Sequence, residues 1–122
     1  ELIAAVWVPV SSPRARQYWR KAGTRAAQSI SKVMAAAVIE VEAGRVVVAR
    51  IALGSVADRP IRVVAAERVV AGLPIADAAA QVGAAVRAAI APISDVRSTE
   101  HFRRSVAGNL VARFFADAAS GA

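Results

Sequence analysis

Apolar and polar positions along the chain mark out most of its elements. Residues 2–8 form a β-rich run closed by Pro9, which suits the end of a strand. Residues 10–13 read as a loop. Residues 14–21 carry Tyr18 and Trp19 without a helical period, so an extended segment is expected there. Gly23 interrupts the chain, and Thr24 is placed to cap a short helix over residues 25–31.

The strongest local pattern follows. Residues 32–42 and 46–53 are two β-compatible runs around Ala43-Gly44-Arg45. A three-residue loop with Gly44 at positive φ would set Glu42 opposite Val46, Glu40 opposite Val48 and Val38 opposite Arg50. One face then holds Ala37, Ile39, Val41, Val47, Ala49 and Ile51, and the charges fall on the other. A two-residue loop would turn Arg50 onto the apolar face. A one-residue slip exchanges the faces of a strand, so the pattern favours the first register. Gly54-Ser55 ends the hairpin, Asp58-Arg59-Pro60 is a turn, and residues 61–63 could add a short strand.

Helical spacing takes over beyond this point. Residues 64–71 read as a short helix ended by Gly72. Ile75, Ala79, Val82, Val86 and Ile90 make one stripe of a helix reaching Ala91 and stopped by Pro92. Phe102, Val106, Leu110 and Phe114 recur every four residues and predict the buried stripe of a last helix, about residues 98–119. Ser98 is its expected N-cap, Glu100 suits the helix dipole, and Arg103, Arg104 and Arg113 fall off the stripe. Strands followed by helices predict an α+β fold in two layers. Its sheet is expected to have three antiparallel strands, with a central hairpin over about residues 32–53, covered by helices.

Composition narrows the class. With 122 residues the chain is expected to be a single domain, residues 1–122. It is 57 % hydrophobic but only 5 % aromatic, so it can bury a core built mainly from aliphatic and small side chains. The absence of Cys excludes disulfides and thiolate chemistry within the chain. No apolar run is long enough to span a membrane, and no signal peptide is evident, so a cytoplasmic location is expected. A strand-like run beginning at the first residue suggests a piece excised from a longer polypeptide. Arg outnumbers Lys 14 to 2 among 16 basic residues, and Ala is abundant. That composition hints at a bacterial source.

The formal charge of +7 raises nucleic acid as a partner. The basic residues are dispersed, however, and densest only at Arg14, Arg16, Arg20, Lys21 and Arg25. They also lack the interleaved aromatics that would stack on bases. Site motifs are few. Neither a dinucleotide-type nor a P-loop glycine pattern occurs. His101 is the only histidine, which excludes a multi-His metal site. Ser94, Asp95 and His101 lie within eight residues without a nucleophile elbow, a poor basis for a triad. Asp95 reads better as a local partner of Arg97. Lys21 is either a solvated ammonium or a cation positioned toward an anionic or electron-accepting ligand.

Four segments together resemble a known family. Tyr18-Trp-Arg-Lys-Ala-Gly-Thr-Arg25, followed by Ile30-Ser-Lys-Val33, is similar to a segment in the C-terminal domain of FAD-binding subunits of the xanthine dehydrogenase and carbon monoxide dehydrogenase family. Leu53-Gly-Ser-Val-Ala-Asp-Arg-Pro60 resembles that family's Gly-Gly turn, with Ser55 standing in place of the second Gly. Pro92-Ile-Ser-Asp-Val-Arg-Ser98 with His101-Phe-Arg-Arg104, and Asn109-Leu-Val-Ala-Arg-Phe-Phe115, resemble its closing segments. The opening Glu1-Leu-Ile with Pro9 resembles the strand leading out of the FAD-binding region.

The resemblance implies a domain of a molybdenum hydroxylase. Substrate would be oxidised at a molybdopterin centre, and electrons would pass through iron–sulfur clusters to FAD. An upstream FAD-binding domain and the molybdopterin and iron–sulfur subunits or domains would be its partners. By position, the resemblance places flavin contacts on Leu2, Ile3 and Lys21 and assigns no catalytic residue. The excised domain is expected to be inactive and to lack bound FAD. Two other readings remain: a basic interaction module for nucleic acid or an acidic protein surface, and a free-standing small-molecule binder.

Overall fold

The computed structural model describes residues 2–25 and 29–121. These form four strands and three helices in the order β1 (Arg16–Ala22), β2 (Val33–Glu42), β3 (Arg45–Gly54), β4 (Ile61–Arg62), α1 (Val64–Val70), α2 (Ile75–Ala89) and α3 (Glu100–Ser120). The strands make one antiparallel sheet in chain order, β1-β2-β3-β4. The fold is α+β as the sequence predicts, with four strands instead of three because residues 61–62 do pair with Ala52 and Leu53.

Only one face of the sheet is covered. Val33, Ala35, Ala37 and Ile39 of β2, and Ile51 and Leu53 of β3, are buried beneath the helices. They meet Val82 and Val86 of α2 and Val111, Phe114 and Phe115 of α3 in a single core. Tyr18 on β1 closes the edge by stacking on Phe114, with ring centroids 5.5 Å apart. Helices α2 and α3 approach closely through glycines. A Cβ on Gly108 would stand 2.7 Å from the Gly83 carbonyl oxygen, so only the bare backbone fits. Arg104 Nη1 donates to the carbonyls of Arg87 and Ile90 and satisfies the C-terminal end of α2.

The hairpin corrects the expected turn but keeps most of the expected register. The loop has two residues, Ala43 and Gly44, both at positive φ, with Glu42 opposite Arg45 and Val41 opposite Val46. A bulge between Glu40 and Val41 then restores Glu40 opposite Val48 and Val38 opposite Arg50. Arg50 thus stays off the core face. Val46, not Val47, is the buried valine beside the turn.

Three further expectations change. Residues 2–10 form no regular element, and their apolar side chains are exposed. A strand needs a neighbour for its backbone groups, and the described chain lays none beside them. The expected helix over residues 25–31 depends on Ala26, Ala27 and Gln28, which lie outside the described residues, while Ser29 to Ser31 are not helical. In α3 the buried stripe is rotated by about one position. Arg103, Ala107, Val111, Phe115 and Ala118 face inward, whereas Phe102 is 41 % exposed and Val106 and Leu110 are only partly buried. The N-cap is Thr99, whose hydroxyl accepts from Phe102 N–H, and not Ser98.

Candidate functional site

Three of the segments that carry the family resemblance are far apart in sequence and meet at one end of the sheet. Lys21 lies on β1 opposite Met34, and Met34 lies opposite Gly54 at the end of β3. Its side chain points to the uncovered face and is exposed. The ammonium donates to the Ser29 carbonyl at 2.9 Å, which directs it along the segment leading into β2.

That segment is itself fixed. Lys32 N–H donates to the Ala22 carbonyl, extending the β1–β2 pairing by one bond. Ser55 Oγ donates to the Ser31 carbonyl. Arg103, 5 % exposed, sends Nη1 to the carbonyls of both Lys32 and Ser55 and Nη2 to Asp95. A single buried guanidinium therefore ties together the start of β2, the end of the hairpin and the loop before α3. Its planar fork is what allows three acceptors to be met at once. Ser55 has φ of 64°, the left-handed conformation that glycine adopts freely. The turn keeps a glycine-like path, and the serine adds the bond to Ser31.

Asp95 is the anionic centre of this cluster. It also accepts from the N–H groups of Arg97 and Ser98. The Arg97 N–H holds its carboxyl below the usual range. Partial desolvation opposes this, while Arg103 and the Ser98 N–H add to the lowering. The expected local pairing of Asp95 with Arg97 is made through the Arg97 backbone N–H, while the guanidinium on Asp95 belongs to Arg103. Ser94 Oγ accepts from Glu100 N–H at the start of α3. With Ser94 and Asp95 so engaged and His101 exposed on the first turn of α3, no triad is assembled. Lys32 Nζ lies 5.4 Å from the Phe102 ring centroid, which gives that exposed ring a cation–π partner.

Sequence reasoning sets Arg103 off the buried stripe and misses both its inward role and the bond that Ser94 accepts at the start of α3. The signal for Arg103 was its phase with Ala107, Val111 and Phe115. Glu67 was also missed. It is buried on α1, accepts from Ile51 N–H beyond the short strand β4, and pairs with Arg62. Burial alone pushes its carboxyl up. The Arg62 hydrogen bond, the Ile51 N–H and the charges of Arg62 and Arg50 together bring it below its ordinary value.

The other site residues inferred from the resemblance are not gathered here. Leu2 and Ile3 are 97 % and 87 % exposed at the outer end of the leading segment, so neither packs against Lys21. Part of the dispersed positive charge is also neutralised locally. Arg14, Arg59, Arg62, Arg103 and Arg113 each pair with a carboxylate. Among the described residues, no helix is long and apolar enough to cross a membrane.

Comparison with known proteins agrees with this geometry. The family model of the CO dehydrogenase flavoprotein C-terminal domain matches residues 8–118. Among solved structures, reconstituted CO dehydrogenase from Oligotropha carboxidovorans is 27 % identical with a TM-score of 0.79, covering 87 % of this chain and 37 % of that one. Quinoline 2-oxidoreductase from Pseudomonas putida 86 is 30 % identical with a TM-score of 0.78, covering 89 % and 38 %. A CO dehydrogenase from Hydrogenophaga pseudoflava that lacks the Mo-pyranopterin moiety is 26 % identical with a TM-score of 0.80, covering 87 % and 37 %. The chain thus spans little more than a third of these relatives. No curated protein sequence matches it.

Proposed function

Because this chain belongs to the CO dehydrogenase flavoprotein C-terminal domain family, we propose that it is the C-terminal domain of the FAD-binding subunit of a molybdenum hydroxylase, where it completes one wall of the flavin pocket. The reading extends to a xanthine dehydrogenase-like oxidoreductase of the bacterial cytoplasm. In that enzyme, electrons leave a molybdopterin centre through iron–sulfur clusters, reach FAD and pass to an acceptor. The partners are the upstream FAD-binding domain and the molybdopterin and iron–sulfur subunits or domains.

One observation supports the reading most: Lys21 is exposed at the edge of an uncovered sheet face, its ammonium donating to the Ser29 carbonyl of a segment that Ser55 and Arg103 bind at Ser31 and Lys32.

The residues present fit part of a flavin. Lys21 suits an electron-rich edge of the ring system, while Leu2 and Ile3, which lie apart from it in this domain, would add apolar surface only where the rest of the subunit brings them to the flavin. The phosphates would have to be held elsewhere, because this sequence has no glycine-rich cradle. FAD supplies the hydride and single-electron chemistry when bound. This chain contributes a positioned positive charge and a boundary against solvent.

A titration of FAD into the 122-residue chain tests the division of labour. No binding tighter than about 100 μM is expected, since a partial wall leaves most of the ligand in water. Micromolar binding would favour a free-standing binder.

A further inference from the structure

Ser55 holds a backbone conformation that is costly for a residue with a side chain. Its φ is 64°, and among the described residues only Ala43 shares that sign without being glycine. Ala43 is explained by its turn: a two-residue hairpin loop of this kind needs positive φ at both positions. The exit from β3 needs no side chain at Ser55. Glycine takes this conformation freely, and the family turn that residues 53–60 resemble carries glycine there.

The hydroxyl supplies a reason for serine. Ser55 Oγ donates to the Ser31 carbonyl at 3.2 Å. Arg103 Nη1 donates to the Ser55 carbonyl at 2.9 Å and to the Lys32 carbonyl at 3.1 Å. Ser31 and Lys32 are thus held from the hairpin exit and from α3. Lys32 N–H in turn donates to the carbonyl of Ala22, the residue after Lys21. Two residues before Ser31, the Ser29 carbonyl receives the Lys21 ammonium at 2.9 Å. Residues 29–32 therefore form a strap fastened at one end by Ser55 and Arg103, and its other end carries the acceptor for Lys21.

Stability does not account for the serine. A cleft of about 210 Å³ is lined by Ile30, Ser31, Ser55 and Asp95, so water can satisfy the Ser31 carbonyl once Oγ is removed. The net worth of one such hydrogen bond is of the same order as the cost of a left-handed residue other than glycine. The two effects offset each other, and what remains is a fixed place for the strap.

We propose that Ser55 is a positioning residue for Lys21: it fixes the strap that carries the Ser29 carbonyl and so sets where the ammonium stands. This rests on the reading of Lys21 as the cation at the flavin. A looser strap spreads the ammonium over more rotamers and weakens its attraction for reduced flavin.

Flavin midpoint potentials of the complete FAD-binding subunit test it, measured in a cycle of Ser55→Gly, Lys21→Met and the double variant. Ser55→Gly removes the hydroxyl and suits the backbone. It should lower the preference for the reduced form about threefold, which is about 14 mV for a two-electron couple. Its melting temperature should stay within about 2 °C. Ser55→Ala should shift the potential equally but melt lower, because it keeps the left-handed backbone without the bond. In the Lys21→Met background, Ser55→Gly should leave the potential where it is. A potential that Lys21→Met moves and Ser55→Gly does not would overturn the positioning role and leave the flavin reading intact. A Ser55→Gly shift that persists without Lys21 would overturn it too. A potential indifferent to Lys21→Met would count against the flavin reading itself.

Discussion

Arg103 and Asp95 form a 2.7 Å pair in which the arginine is buried and the aspartate is only partly covered. The remaining amino group of Arg103 is divided between two backbone carbonyls from different parts of the sheet. Removing the guanidinium strands three acceptors at once. Arg103→Ala should cost about 3–5 kcal/mol, the range for breaking a buried pair. Arg103→Lys should recover only part of this, because an ammonium lacks the planar fork. Urea denaturation measures both, and an unchanged midpoint for Arg103→Ala would show that the cluster bears no load.

Asp95 and Glu67 both have folded carboxyls held below their ordinary values. Their contribution is therefore complete above the unfolded carboxylate range of about pH 4. It is lost as acid protonates them through their lower folded values. Melting temperature should fall steeply below about pH 4, and the double variant Asp95→Asn, Glu67→Gln should show a shallower fall over the same range. Equal slopes in the two proteins would place the acid sensitivity elsewhere.

The rotated stripe on α3 separates three phenylalanines. Phe115 and Phe114 are buried, so replacing either with Ala should cost about 3–5 kcal/mol. Phe102→Ala should cost about 1 kcal/mol or less, chiefly its contact with Lys32. Thermal melts of the three variants check the order. A Phe102→Ala loss as large as that of Phe115→Ala would return the stripe to the phase that simple hydrophobic spacing suggests.

These residues also explain what could be read beforehand. The β2–β3 register from Glu40–Val48 onward follows from side-chain alternation, and α2 follows from its aliphatic spacing. The turn itself did not, because a two-residue loop and a bulge cancel in their effect on distant positions. The phase of α3 was misread because hydrophobic spacing gives weight to Phe102 and none to a charged residue. Arg103 shares the phase of Ala107, Val111 and Phe115, but the three acceptors that let a charge face inward come from other segments, and no local pattern encodes them. Residues 2–10 look like a strand because their composition suits one, yet pairing depends on a neighbour. Lys21 was located through family resemblance. Its sequence neighbours say nothing of the Ser29 carbonyl that directs it.

The account depends most on Lys21 facing the flavin. The direct measurement is the flavin midpoint potential of the complete FAD-binding subunit with and without Lys21→Met, a change that keeps length and removes charge. Loss of the cation should make the potential more negative by about 30 mV or more, equivalent to a tenfold loss in preference for the reduced form of a two-electron couple. The melting temperature should stay within about 2 °C, since the side chain is exposed. An unchanged potential accompanied by a large fall in melting temperature would make Lys21 a structural residue and contradict the proposed flavin wall.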